Sequence, residues 1–219
     1  MFQKISDRIY SYDHYIKMGL GIHMQTKTIL IEHNDNGFLI SAGPLSDQVS
    51  RHLKTINNLV IFAPNLFHHI FLHKYKDFKA RYYGPLEVLR KNPKFQEHLG
   101  TQDEFASEYE TIFTAIPIDG IPKLHEMVLY YKPEKTLIIT DLSFNMNTFK
   151  NKGSEIVLKL VAGGNGLIQS RFVKLMTKDQ KAYKNSINKI LDLDIEKVIF
   201  HHGDNLSGDD FKKHLKSLI

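Results

Sequence analysis

The chain has 219 residues, of which 29 are lysine or arginine and 24 are acidic, and it contains no cysteine. The lack of cysteine excludes disulfides, thiolate zinc sites and cysteine nucleophiles, so any metal must be held by histidine, carboxylate, carbonyl or water. A hydrophobic content of 42% over this length predicts one folded domain, residues 1–219, with a substantial core.

The first half of the chain alternates short apolar runs with turn residues, which is typical of strands. We predict strands at 8–16, 21–25, 27–32, 38–41, 59–62 and 81–83, with a turn at 34–37. The helical spacing of Leu45, Val49 and Leu53 predicts a helix. Further helical segments are predicted at 67–78 and 85–90, followed by a segment at 92–110 that we predict to be loop with some helix.

The second half returns to strands and then ends in helices. We predict strands at 111–116, 126–131, 136–140 and 198–200, with a turn at 132–135. Glycines mark a loop over 161–166. Two helices follow from the spacing of their apolar residues, which are Tyr183, Ile187, Ile190 and Leu191 in one and Phe211, Leu215 and Leu218 in the other. This order indicates an α/β protein whose sheets are covered by helices.

The charge distribution bears on the partners of the protein. A net charge of +5 is compatible with nucleic-acid binding, but the lysines of the predicted helices are interspersed with aspartates. We therefore expect solvated helix faces and no nucleic-acid partner. Residues 1–21 lack a signal-peptide core, and no apolar run approaches the ~20 residues that span a bilayer. We expect a soluble, cytoplasmic protein with no membrane partner.

Polar side chains that bind metals or move protons follow three of the predicted strands. The strand at 59–62 leads to Asn65, His68 and His69, the strand at 136–140 leads to Asp141, and the strand at 198–200 leads to His201 and His202. Ligands collect outside the carboxyl ends of strands in sheets with helical crossovers, so one site can receive all three groups.

Each group also has a structural interpretation. Asp141 is suited to capping a helical turn at 142–144, and histidines at a strand end often bond a neighbouring carbonyl. His69 and His73 are spaced to face one side of the predicted helix, but Ile70 stands where the zinc-protease pattern H-E-x-x-H needs its glutamate. The residues alone leave the structural and the functional interpretation open.

The succession of these segments resembles the metallo-β-lactamase-like hydrolase superfamily, and more closely a subfamily of unknown function within it. The similarity runs over nearly the whole chain, and its clearest stretches are APNLFHHIFL (63–72), EMVLYY (126–131), TLIITDL (136–142) and VIFHHG (198–203). The resemblance implies an α/β fold of the αββα sandwich type, with two mixed sheets covered by helices.

The superfamily holds two metals through a His-x-His-x-Asp-His loop, a middle histidine, a bridging aspartate and a last histidine. Here Pro64 and Leu66 take the first two histidine positions of the loop, and the middle histidine falls near Pro122. The resemblance therefore implies a single zinc, iron or manganese ion. It assigns that ion to His69, Asp141 and His202, with His68 and Glu126 as catalytic residues and Asn65 and His201 as further site residues.

Two functions compete on these grounds. The first is a metal-dependent hydrolase with a mononuclear site that activates water against an ester, thioester, amide or phosphoester of an unidentified small molecule. Residues 92–110 and 161–166 would then line its pocket. The second is a metal-free member of the fold that acts as a binding module and uses no cofactor. A nucleic-acid processor is a third and weaker alternative, and no pattern in the sequence indicates the oligomeric state.

Overall fold

The computed structural model describes residues 1–91, 98–169 and 171–219. The chain groups into two compact units. One consists of Met1–His14 and Lys27–Glu108, and the other of Tyr15–Thr26 and Tyr109–Ile219. Among the described residues, every helix is too short or too polar to cross a bilayer.

Most residues of a mixed seven-stranded sheet belong to the first unit, while parts of its second and third strands, within Tyr15–Thr26, belong to the second; the strands lie in chain order. They are β1 (Gln3–Lys4), β2 (Ile9–Gly19), β3 (Ile22–His33), β4 (Asn36–Ile40), β5 (Asn58–Phe62), β6 (Ala80–Gly84) and β7 (Leu99–Thr101). The β1–β2 and β3–β4 pairs are antiparallel, whereas β4 to β7 are parallel. The turn predicted between β3 and β4 is confirmed, since His33 pairs with Asn36 and Asn34 adopts a φ of 54°.

The described part of this unit contains three short α-helices: α1 (Asp47–Leu53), α2 (Leu86–Lys91) and α3 (Gln102–Glu108). The prediction of α1 is confirmed. It begins at Ser46, whose hydroxyl accepts the N–H of Val49, and it buries Val49 and Leu53. These side chains join a core that includes Leu30, Leu39 and Ile61 of the sheet. Because β5 lies between parallel neighbours, its apolar run is buried on both faces.

The second unit contains a mixed five-stranded sheet and a small two-stranded one. The larger sheet has the order β14-β13-β10-β9-β8, from strands β8 (Phe113–Pro117), β9 (Met127–Tyr131), β10 (Thr136–Ile139), β13 (Lys197–Phe200) and β14 (Leu206–Ser207). The smaller sheet pairs β11 (Phe144–Met146) with β12 (Gly166–Ile168). In the larger sheet, β10 and β13 are parallel and the other pairs are antiparallel.

Four α-helices complete the second unit: α4 (Lys152–Ala162), α5 (Arg171–Met176), α6 (Gln180–Leu191) and α7 (Gly208–Lys216). The predictions of α6 and α7 are confirmed by the burial of Tyr183, Ile187 and Ile190 on one and of Phe211 and Leu215 on the other. All five side chains belong to one core with the sheet residues. An apolar stripe on each helix therefore covers the sheet, as the periodicity indicated.

One prediction of local structure is wrong, and two of the alternative interpretations do not hold. Residues 67–78 form turns and a 3₁₀ helix at Leu72–Tyr75 in place of an α-helix, with backbone bonds that run from each N–H to the carbonyl three residues back. His73 is exposed and binds the Ile70 carbonyl, so it is not paired with His69 on one helix. No helical turn follows Asp141, because the chain there bends directly into β11.

Two further segments differ in part from expectation. The segment 92–110 contains β7 and α3, while residues 92–97 lie outside the described residues. The predicted loop at 161–166 begins inside α4, whose last helical residue is Ala162, and ends at the first residue of β12. Gly163 ends the helix with a φ of 98°, a left-handed conformation that glycine adopts readily.

Candidate metal centre

In the first unit, the loop after β5 holds Asn65 and His68 in fixed positions. Asn65 is fully buried, and its side-chain oxygen accepts the N–H groups of Phe67 at 2.8 Å and His68 at 3.1 Å. The ring of His68 is buried, with Nδ1 2.6 Å from the hydroxyl of Ser41. Ser41 directly follows β4 in a left-handed conformation, with a φ of 56°. The loop histidine is thus anchored to the end of a neighbouring strand.

His69 lies beside His68 in the chain but in a different environment. Burial lowers its pKa, and the positive charge of Lys91 lowers it further. The neutral imidazole is therefore favoured at neutral pH, and this is the form that binds metals through a nitrogen lone pair.

In the second unit, parallel pairing brings two of the predicted strand ends to one edge. Ile139 of β10 lies opposite Phe200 of β13, so Asp141 and His202 both follow the last paired residues of adjacent strands. Nε2 of His202 is 3.4 Å from Oδ1 of Asp141, and both side chains are largely buried. The convergence predicted for these two strand ends is confirmed.

The orientation of the His202 ring follows from its second nitrogen. Nδ1 lies 2.9 Å from the backbone carbonyl of Gln25, and a carbonyl can only accept, so Nδ1 carries a proton. In the neutral ring, Nε2 therefore has a lone pair, and it faces the carboxylate of Asp141. Two acceptors at this separation repel each other unless a proton or a cation lies between them. An imidazole nitrogen and a carboxylate oxygen are both ligand types that bind divalent metals.

Glu126 supports Asp141 from behind the strand end. Its carboxylate is buried and accepts the N–H of Thr140 at 3.0 Å and the N–H of Asp141 at 3.1 Å. Burial, with a further contribution from the nearby charge of Asp141, raises the pKa of Glu126 to about 7 even though hydrogen bonds from Thr140 and Leu142 lower it. Glu126 thus contacts the backbone that carries Asp141.

His201 and Gly203 flank His202 and fix the local backbone. His201 is fully buried, and its Nδ1 donates to the carbonyl of Ile139 at 3.0 Å. Gly203 has a φ of 110°, and a Cβ at that position would lie 1.9 Å from the backbone oxygen of Asn145. Two backbone hydrogen bonds join this turn to β11, from Asn145 N–H to the His202 carbonyl and from Asp204 N–H to the Asn145 carbonyl. Only glycine fits this close approach.

Of the residues predicted for the site, the structure brings Asn65 and His68 together in the first unit and Glu126, Asp141 and His202 together in the second. His201 binds only the adjacent strand end in the contacts described above. Two supporting residues were not predicted. Ser41 had a usable signal, because it too is polar and directly follows a buried strand. Gln25 acts through its backbone carbonyl, for which the sequence carries no signal.

Comparison with known proteins gives matches in structure but not in sequence. No protein-family model matches the chain, and no curated protein matches it. Structures of three metallo-β-lactamases match over 100% of this chain. DIM-1 has 15% sequence identity, is covered over 95% of its own length and gives a TM-score of 0.64. The enzyme from Pontibacter korlensis has 13% identity, 97% coverage and a TM-score of 0.61, and FIM-1 from Pseudomonas aeruginosa has 10% identity, 93% coverage and a TM-score of 0.63. The chain has the metallo-β-lactamase fold.

The metallo-β-lactamase fold confirms the resemblance found in the sequence and the α/β class with two mixed sheets and helices. At these identities the likeness establishes the fold alone, and folds host many unrelated functions. Any function of this chain must therefore be inferred from its own side chains. Asp141 and His202 are the pair whose geometry says most about metal binding.

Proposed function

We propose that the protein is a metal-dependent hydrolase with a single divalent ion, zinc, iron or manganese, bound by Asp141 and His202. The observation that carries the proposal is the fixed tautomer of His202, whose Nε2 faces Oδ1 of Asp141 at 3.4 Å. The imidazole nitrogen and the carboxylate oxygen are both ligand types of zinc, iron and manganese, and at this separation both could bind one ion. The donor set and its spacing therefore fit such an ion.

The third ligand in this proposal is a histidine of the loop after β5, either His69, which the resemblance assigns, or His68. The Ser41 hydroxyl at Nδ1 favours His68, because metal-binding histidines are commonly oriented by a hydrogen bond at the other ring nitrogen. The neutral form of His69 favours that residue. Whichever histidine does not bind the ion is then available to orient substrate or to transfer a proton.

When bound, the ion would lower the pKa of a coordinated water and polarise the bond to be hydrolysed. The protein residues would do the rest. His202 is aligned by the Gln25 carbonyl, and Asp141 is held by the Glu126 carboxylate through its backbone N–H. Glu126 is in this proposal a positioning residue, and Asn65 positions the loop that carries His68. The substrate is a small-molecule ester, thioester, amide or phosphoester.

A site with a single metal ion has a precedent in one structural relative. FIM-1 was solved in a mono-zinc form, so a single zinc ion is compatible with the metallo-β-lactamase fold. The experiment is elemental analysis of protein purified without chelator, before and after incubation with zinc, manganese or iron. We expect about one ion per chain in the native protein and loss of most of it in His202→Ala and Asp141→Ala.

Three further variants complete that experiment. His68→Ala and His69→Ala identify the third ligand, because only the true ligand is needed for full metal content. His73→Ala is the matched control, since His73 is exposed and binds only a local carbonyl in the first unit. A chain that takes up no ion under any of these conditions would refute the proposal.

The alternative is a metal-free binding module. The Asp141–His202 pair favours it if the His202 ring is positively charged. If His202 is protonated at both nitrogens, it forms an ion pair with Asp141 and no metal is needed. In that case His202→Ala and Asp141→Ala would each lower the stability of a chelator-treated protein, because each would leave a largely buried polar partner unpaired.

A further inference from the structure

Helix α4 in the second unit exposes its larger apolar side chains to solvent. Its buried face consists of Ser154, Leu158 and Ala162. The opposite face carries Ile156 and Leu160, which are 61% and 64% exposed, and beside them Val157 and Val161, which are also exposed. Clusters of exposed aliphatic residues on a soluble protein mark interaction sites.

The exposed apolar area continues beyond α4 within the same unit. Leu175 of α5 is 78% exposed, and Arg171 at the start of α5 donates to the Leu160 carbonyl. The turn between β2 and β3 reaches the start of α4, because the side-chain amide of Asn151, which caps α4, donates to the Gly21 carbonyl at 3.3 Å. Leu20 in that turn and Met18 near the end of β2 are both exposed. We call this area, formed by residues 18–20, α4 and Leu175, the α4 surface.

Basic residues accompany the α4 surface. Residues 148–178 contain six lysine or arginine residues, which are Lys150, Lys152, Lys159, Arg171, Lys174 and Lys178, against one acidic residue, Glu155. Five of the six are exposed, and Lys159 is partly exposed and paired with Glu155. Basic residues therefore outnumber acidic ones in the segment that contains α4 and α5.

The combination of exposed aliphatic and cationic side chains favours an anionic lipid surface over a second copy of the chain or a nucleic acid. A second copy of the chain would bring two strongly positive surfaces together, which electrostatics opposes. Single-stranded nucleic acid requires aromatic stacking platforms, whereas the exposed residues of α4 are Ile, Val and Leu. Anionic lipid headgroups attract lysine and arginine, and the acyl region accepts aliphatic side chains.

We propose that the α4 surface binds peripherally to anionic lipid membranes, with Ile156 and Leu160 inserted at the interface and the lysines and arginine contacting the headgroups. This attachment is independent of the metal centre. It departs from the expectation of no membrane partner, which rested on the lack of a membrane-spanning segment, because peripheral binding needs no such segment.

The test is co-sedimentation of the full chain with vesicles of phosphatidylcholine containing roughly one-third phosphatidylglycerol, and with vesicles of phosphatidylcholine alone. We expect binding to the anionic vesicles only, weakened as salt is raised. The double variant Ile156→Ser, Leu160→Ser should bind at least about tenfold more weakly, because it removes two aliphatic side chains from the inserted face.

The matched control is Leu86→Ser, Leu99→Ser, which removes two exposed leucines from the first unit and should bind as the parent does. Circular dichroism establishes that all variants are folded. Three results would overturn the proposal: no binding to either vesicle, equal binding by the α4 double variant, or a dimer in gel filtration that the α4 double variant dissociates. The last result would identify a second copy of the chain as the occupant.

Discussion

Replacing Glu126 with glutamine is expected to change how the stability of the metal-free protein depends on pH. Burial raises the pKa of Glu126 to about 7 in the folded chain, from an ordinary value of 4.5. Between these values the unfolded chain releases a proton that the native chain retains. The native state therefore binds more protons, and its free energy of unfolding falls as pH rises.

The size of the effect follows from the two pKa values. A difference of about 2.5 pKa units corresponds to about 3 kcal/mol, fully present as stability below pH ~4.5 and lost once the pH is above ~7. Glutamine cannot ionise, and its carbonyl oxygen can still accept the N–H groups of Thr140 and Asp141. Glu126→Gln should therefore gain about 3 kcal/mol relative to the parent between pH 4.5 and pH 8.

Urea denaturation followed by circular dichroism, at several pH values in the presence of a chelator, measures this difference. The chelator is needed because a cation at Asp141 would cancel one of the charges that raise the pKa. Glu110→Gln is the control, since it removes the same charge from an exposed position. A stability difference between Glu126→Gln and parent that stays constant over this pH range would refute the reasoning.

Three other substitutions, two of them paired with a control variant, test the structure by the same denaturation assay. Gly203→Ala should cost about 3 kcal/mol or more, because its methyl would overlap a β11 carbonyl oxygen, whereas Gly19→Ala, with a similar φ and open space, should cost about 1 kcal/mol. Asn65→Ala should cost about 1–2 kcal/mol, because two loop N–H groups lose their acceptor. Leu158→Ala should cost about 2–4 kcal/mol, but Leu160→Ala less than about 1 kcal/mol, because only the first is buried.

The sequence predicts well the helices that bury one face and the strands that are buried on both faces. β5, β10 and β13 are continuous apolar runs, and polar residues follow each of them in the chain. Such runs identify central strands because neighbours cover both faces. The parallel register of β10 and β13 then places Asp141 beside His202 without further information. This half of the candidate site was therefore predictable from local pattern alone.

Helix α4 was not predicted, and its side chains explain why. Apolar residues occupy both its buried face, through Leu158 and Ala162, and its exposed face, through Ile156, Leu160 and Val161. A helix is recognised in a sequence by apolar residues that recur every three to four positions among polar ones. When both faces are apolar, this contrast between apolar and polar positions is lost. The same composition that conceals the helix produces the exposed surface proposed to contact lipid.

The supporting contacts of the candidate centre could not be predicted, because they join residues far apart in the chain through groups that carry little sequence signal. Gln25 binds His202 with a backbone carbonyl, and Gly203 matters through the absence of a Cβ. Both features fix the direction of Nε2 independently of the loop after β5, where the superfamily pattern is altered at Pro64 and Leu66. The orientation of His202 is therefore set within one unit by backbone geometry. In the proposed metal centre, the direction of Nε2 would therefore not depend on side-chain substitutions at Asp141.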